Sequence, residues 1–346
     1  MPLREQIRLA VEGIHLSRVQ AAAALDAMLD GSAPAAQMAA LLVALRMKGE
    51  TPDEIAGAAQ ALRARAVRVE VPLHRLVDTC GTGGDGAHTF NISTASAFVC
   101  AAAGARVAKH GNRAASSKCG SADVLAALGA EVELAPEGVA ACIEECGIGF
   151  LFAPRHHAAM RHVAPVRKEL GIRTLFNLLG PLANPAGARR QLLGVPAPHL
   201  VPVLAATLVE LGAERAFVVH GHGGLDEISP AGATRVAEVR GGGVREYEVT
   251  PEELGVTRGA VEDLRGGDAD RNAALLREVL RGEKGVRRSA VLLNAGAAIA
   301  AAGVCESMRD GVRLAEQAID SGAALDRLEQ FVRASRAHKP PPVSGP

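Results

Sequence analysis

Hydrophobic positions in the first seventy residues recur every three to four places and never alternate as a strand's would. Ser17 followed by Gln20 makes a capping box ahead of a helix over 19–29, and Gly31 stands just past its end. Thr51 and Glu54 repeat the device, with Pro52 in the first turn, where its missing N–H costs nothing. Between the boxes, residues 34–48 set Met38, Leu41, Leu42 and Leu45 on one helical face. The pattern predicts an antiparallel bundle of about four helices over 1–70. Its apolar faces need partners, and a second copy of the chain could supply one.

From Leu73 onward, short β-prone runs alternate with Ala-rich helical stretches, the mark of βαβ units around a mostly parallel sheet. The expected strands are 75–79, 106–109, 131–134, 149–152, 191–195 and 216–220, and 234–240 with 245–249 flank a Gly-Gly-Gly turn as an edge hairpin. Residues 268–337 read as helices and their turns, and 338–346 as a frayed tail. The segment 164–185 interrupts this rhythm and is expected to pack back onto the amino-terminal helices. The predicted fold class is therefore α/β: a small helical bundle over 1–70, joined in space by 164–185, and a larger α/β domain over 73–337.

Lys plus Arg and Asp plus Glu balance at 38 each, so no global field would hold a nucleic acid or an anionic membrane surface. The six cysteines (Cys80, Cys100, Cys119, Cys142, Cys146, Cys305) form no C-x-x-C pair and read as reduced thiols. The amino terminus lacks the pattern of a signal peptide, and no apolar stretch reaches membrane-spanning length. A cytoplasmic location is expected.

Candidate chemistry concentrates in four loops. The first strand runs into CGTGGDGAHTFNIST, with Gly81, Gly83, Gly84 and Gly86 close together and a helix starting near Asn91. Such a loop can bring N–H groups against a bulky anion, helped by the helix terminus and the Ser93 and Thr94 hydroxyls. It fits neither the P-loop pattern nor the strict dinucleotide fingerprint. After the next strand, Lys109, His110, Asn112, Arg113, Ser116, Ser117, Lys118 and Ser121 crowd a second loop ahead of a helix start at Gly120 or Ser121. Parallel neighbouring strands would present both loops at one carboxyl edge, where they could grip two phosphates. A third loop, GHGGLDEIS, offers Asp226 and Glu227 to a hard cation held mainly through water and substrate phosphate. In the fourth stretch, His156, His157 and His162 lack a completing ligand set for zinc, while the planar fork of Arg167 suits a substrate carboxylate.

At these residues the chain resembles the anthranilate phosphoribosyltransferase family over nearly its whole length, to about residue 335. The motifs are DTCGTGGDG at 78–86, FNIST at 90–94, KHGNRAASSKCGSADVL at 109–125, VRKELGIRTLFNLLGPLANP at 166–185 and GLDEIS at 224–229. The resemblance implies transfer of the phosphoribosyl group of 5-phosphoribosyl 1-pyrophosphate (PRPP) to the amine of anthranilate, in tryptophan biosynthesis. It implies magnesium as cofactor, taken as two ions per subunit, and a homodimer formed through the helical domain. It assigns Gly81, Gly84, Asp85, Thr89, Asn91, Ser93, Thr94, Lys109, Ser117 and Ser121 to PRPP, to which we add Gly111, Asn112, Arg113 and Ser116 from the second loop. Ser93, Asp226 and Glu227 become magnesium residues, and Gly81, Asn112 and Arg167 face anthranilate, to which we add His110. Two departures stand out: His156, His157 and Ala158 where the family usually shows an aromatic residue and then His-Pro, and Gly223 where an acidic residue is common. The first is expected to affect the anthranilate entrance.

Displacement of pyrophosphate from an anomeric carbon passes through an oxocarbenium-like state, so stabilising the departing charge and aligning the amine matter most. An aromatic amine is already neutral at pH 7, and no proton-transfer residue is assigned. The rival reading is a pyrimidine nucleoside phosphorylase of related fold, whose characteristic loops differ from GTGGDG and KHGN.

Overall fold

The computed structural model describes residues 3–114 and 118–340. Ser116, Ser117 and the tail residues 341–346 therefore lie outside the described residues. Four helices open the chain: α1 (Arg4–Val11), α2 (Arg18–Leu29), α3 (Ala35–Lys48) and α4 (Pro52–Ala64). Both capping boxes form, with Ser17 and Thr51 each accepting the N–H three residues on while Gln20 and Glu54 reach back.

The α/β part begins with β1 (Leu76–Thr79), α5 (Ile92–Ala102), β2 (Arg106–Gly111), α6 (Ser121–Ala127), α7 (Pro136–Cys146) and β3 (Ile148–Phe152). The chain then leaves through α8 (Ala153–His156), α9 (Ala164–Leu170) and α10 (Leu175–Leu179), where α9 packs on α3, and α10 on α3 and α4. It returns as β4 (Arg190–Gly194), α11 (Leu200–Glu210), β5 (Arg215–Gly221), β6 (Thr234–Arg240) and β7 (Gly243–Val249). Four helices close the chain: α12 (Ala269–Leu280), α13 (Val286–Ala302), α14 (Met308–Asp320) and α15 (Ala323–Ala337).

The seven strands form one sheet in the order β3-β2-β1-β4-β5-β6-β7, parallel from β3 to β5 and antiparallel in the final hairpin. Successive units run one way from β1 to β3 and the other way from β4 to β5, so the order reverses between β1 and β4. Loops on either side of such a reversal splay apart and leave a crevice at the carboxyl edge. One face of the sheet is covered by α5, α7 and the closing helices, where Phe98 meets Phe331 at 5.8 Å between ring centres. The other face carries α11, whose Leu204 and Leu208 share a core with Leu25, Leu42 and Ile55 of the helical bundle.

Residues 131–134, expected as a strand, are irregular. Val132 and Leu134 are buried in the alternating manner that suggested it, but no neighbouring strand offers a ladder. Side chains take over: Ser335 Oγ accepts the Glu131 N–H at 3.0 Å, and Glu131 Oε1 the Glu133 N–H at 3.0 Å. The tail expected to fray from 338 is tied at its start, with His338 Nε2 at 2.7 Å from Glu145 Oε1 and Lys339 Nζ at 3.3 Å from Glu131.

Candidate active site

The glycine loop after β1 is the hub on which the other loops meet. Its Gly83 N–H donates to Asp226 Oδ2 at 2.8 Å, and its Thr82 N–H to the Gly194 carbonyl at the end of β4 at 2.9 Å. At Gly81 a Cβ would stand 2.6 Å from Asp226 Oδ2, so only glycine lets the acidic loop close in. Gly84 has φ +82, and a Cβ there would overlap the Arg173 guanidinium, which also reaches the Thr82 carbonyl at 3.4 Å. Asn91, the residue before α5, joins this loop to the second: its Nδ2 donates to the Cys119 carbonyl at 3.3 Å, and its Oδ1 accepts from Asn272 at 2.9 Å. Thr89 forms an isolated antiparallel β-bridge with Arg265.

The head of α5 carries no side-chain cap from Asn91, and of its first-turn N–H groups that of Ile92 is taken by the Phe90 carbonyl at 2.7 Å. The Glu227 carboxyl lies against the Ser93 backbone there. Burial first, and then the neighbouring Asp226, hold Glu227 well above the usual carboxylate range. Asp226 is pushed up to about 7, by burial first and then by the charge of Asp85 beside it. Three carboxyl groups thus crowd one rim, with Arg173 the nearest cation from the helical side. Among the described residues no set of three or more His, Cys, Asp or Glu side chains is arranged to hold an ion unaided.

Lys109 lies beneath the loop, 3% exposed, its ammonium 2.8 Å from the Thr79 carbonyl and 3.3 Å from Ser93 Oγ. Thr94 is fully buried, its hydroxyl unpartnered among the described residues. Gly111 ends β2, and Ser121, at the head of α6, donates to the Asn112 carbonyl at 3.3 Å. Arg113 is exposed and engaged by Asp123 and Glu133 at 3.3 and 3.4 Å.

His110 faces the helical segment. Its Nδ1 donates to the Gly180 carbonyl at 3.0 Å, which leaves Nε2 buried with no partner among the described residues. Burial, with His157 next in effect, lowers its pKa to about 3, so the ring is neutral. The two rings stand 5.1 Å apart. Behind them Asp78, buried and raised to about 6, accepts the His110 N–H at 3.2 Å and the Asn184 amide at 2.7 Å. Arg167 is half-buried on α9 with its guanidinium 5.5 Å from the Phe176 ring centre, and forms no ion pair among the described residues. Burial depresses its pKa, the signature of a cation short of a counter-charge.

The structure therefore brings together Gly81, Gly84, Asp85, Asn91, Ser93, Asp226 and Glu227, and links Asn112 and Ser121 to them through the second loop. Two features were not read from the sequence: Arg173 over the glycine loop, and Asp85 on the acidic side of the rim. The sequence signal for the first was an arginine set between the Gly171 helix stop and the Thr174 cap.

A helical bundle beside a mainly parallel α/β domain, with a phosphate-type loop at the strand-order reversal, defines a glycosyl transferase class. Residues 4–66 match the glycosyl transferase family helical bundle domain, and residues 73–325 its a/b domain. Within that class the chain belongs to the anthranilate phosphoribosyltransferase family. The anthranilate phosphoribosyltransferase of Rubrobacter xylanophilus is 58% identical over 96% of this chain and 98% of its own. The crystal structure of anthranilate phosphoribosyltransferase from Thermus thermophilus aligns with a TM-score of 0.91 at 49% identity, covering 96% of this chain and 99% of that one. The Saccharomyces cerevisiae enzyme, solved in complex with PRPP and Mg, aligns at 0.88 with 29% identity, covering 97% and 98%.

Proposed function

We propose that the rim transfers the phosphoribosyl group of PRPP to the amine of anthranilate, releasing pyrophosphate. The single observation that carries this reading is the convergence of the glycine loop, the α5 head and three mutually repelling carboxyl groups. The crowding makes sense opposite a polyanion only if a cation lies between them. Magnesium bound there would neutralise charge developing on the leaving pyrophosphate, and the carboxylates available to it are Asp226, Glu227 and Asp85, with the Ser93 hydroxyl nearby. Too few protein ligands converge to complete its sphere, so phosphate oxygens and water would fill the rest, as suits a cation that arrives with its substrate.

The chain's own residues supply the remainder. With the Thr82 and Gly83 N–H groups already taken by Gly194 and Asp226, the Gly81 and Gly84 N–H groups and the Thr94 N–H at the head of α5 remain for the diphosphate, and the loop formed by Gly111, Asn112 and Ser121 offers the second anion contact. Arg167 holds the anthranilate carboxylate, and its unpaired, desolvated guanidinium supports that role. Neutral His110 presents Nε2 as an acceptor on the same side, orienting an amine N–H rather than removing a proton.

Val11, Ile14, Val19 and Met47 are 72%, 47%, 78% and 84% exposed on the helical bundle, and we assign this apolar surface to a homodimer. A cytoplasmic location is proposed on the buried thiols: burial raises Cys100 and Cys142 far above the ordinary range and leaves them inert. The test is loss of anthranilate fluorescence in the presence of PRPP and magnesium. Arg167→Ala should raise KM for anthranilate by at least about tenfold more than KM for PRPP, and equal effects on both would reject its carboxylate role.

A further inference from the structure

Away from the rim, a cavity of about 500 Å³ lies between two of the connections that join the helical part to the α/β domain. Residues 66–73 leave the bundle along one wall, residues 184–189 enter β4 along the other, and the end of α11 closes the space. We infer that this cavity binds a small organic anion, a carboxylate carried on an apolar body.

Three arginines line it, Arg63, Arg68 and Arg189, and none forms an ion pair among the described residues. Arg63 is the telling one. Its Nε donates to the Leu182 carbonyl at 2.6 Å, while its two terminal nitrogens have no hydrogen-bond partner among the described residues. Burial first, and then the charge of exposed Arg189, depresses its pKa, so a half-buried guanidinium stands in the cavity wall without a counter-charge. Such an arrangement is unfavourable unless an anion enters beside the guanidinium. Glu70, the only carboxylate on the lining, is exposed and pairs with none of the three.

The amides nearby are already committed, Asn184 to Asp78 at 2.7 Å and Gln191 to the Pro181 carbonyl at 2.8 Å, so the free donors are guanidinium groups. Between these groups Val69, Leu208 and Leu211 supply apolar wall. Space of this size and lining accommodates a ligand with a hydrocarbon body and one charged end. A bound ligand would lie against the 184–189 segment, whose Asn184 holds Asp78. The inference does not depend on the reaction proposed above.

The test uses benzoate as probe and calorimetric titration of the full chain carrying Arg167→Ala, which removes the competing carboxylate site at the rim. Benzoate should bind this chain with one site. Adding Arg63→Met or Arg189→Glu should weaken binding by about tenfold or more, as expected for loss of a charge-assisted contact. Arg189 is exposed, so Arg189→Glu keeps the test sound if Arg63→Met fails to fold. Neutral benzamide should bind the Arg167→Ala chain more weakly than benzoate. No benzoate binding, benzoate binding unchanged by Arg189→Glu, or equal binding of benzamide would each overturn the inference.

Discussion

Asp226 occupies a place that costs the free chain stability. Its carboxyl is raised to about 7 by burial and then by Asp85, against an unfolded value of about 3.9. A raised carboxyl contributes stability that is complete below the unfolded value and is lost as pH rises through the folded one. Asp226→Asn should therefore raise the melting temperature of the ligand-free chain at about pH 8, with the gain shrinking toward about pH 4. The same substitution should lower turnover by roughly 10²-fold, the usual effect of losing one preorganised charge. A variant with unchanged turnover would remove Asp226 from the chemistry. His157 behaves in the opposite sense. Burial, then His156, lowers its pKa to about 4 from an unfolded value of about 6.5, so its stability is present above 6.5 and lost as pH falls toward 4. His110 and His156 face it and are shifted the same way. His157→Gln should flatten the decline in melting temperature between about pH 6.5 and pH 4, and an unaltered slope would contradict the assignment.

Among the helices and strands, the elements with local signals were legible and those created by tertiary contact were not. The Ser17 and Thr51 capping boxes formed where the sequence put them, and Glu54 does more than cap. It is fully buried, its Oε1 taking the Leu16 N–H at 2.8 Å and its Oε2 the Lys48 ammonium at 2.9 Å. Glu54→Ala would leave Lys48 as an unpaired buried cation and should destabilise the chain by about 3–5 kcal/mol in urea unfolding. A loss below about 1 kcal/mol would show the pair to be solvated in solution. The run 131–134 misled because alternation reports which side chains are buried, not whether a neighbouring strand exists. The glycine, KHGN and GLDEIS loops could be read because each is contiguous and chemically dense. Arg173 could not: its meaning comes from lying over Gly84, 89 positions earlier in the chain. Asp85 was visible as a loop residue, but its place beside Asp226 depends on two loops closing on each other.

In the whole molecule, the reversal of strand order between β1 and β4 sets the glycine and acidic loops against each other, while the α9–α10 excursion brings Arg167 and Arg173 from the helical side. Substrate phosphates and carboxylate would thus be held by different parts of the fold, with the anomeric carbon between. The acidic rim is electrostatically incomplete until cation and polyanion enter together, which makes their binding mutually dependent. The most direct measurement is calorimetric titration of PRPP into the full chain with and without magnesium, repeated with Asp226→Asn. The expected result is affinity that tightens with magnesium by about tenfold or more in the unsubstituted chain and changes far less in the variant. PRPP binding of equal strength with and without magnesium in the unsubstituted chain would contradict it.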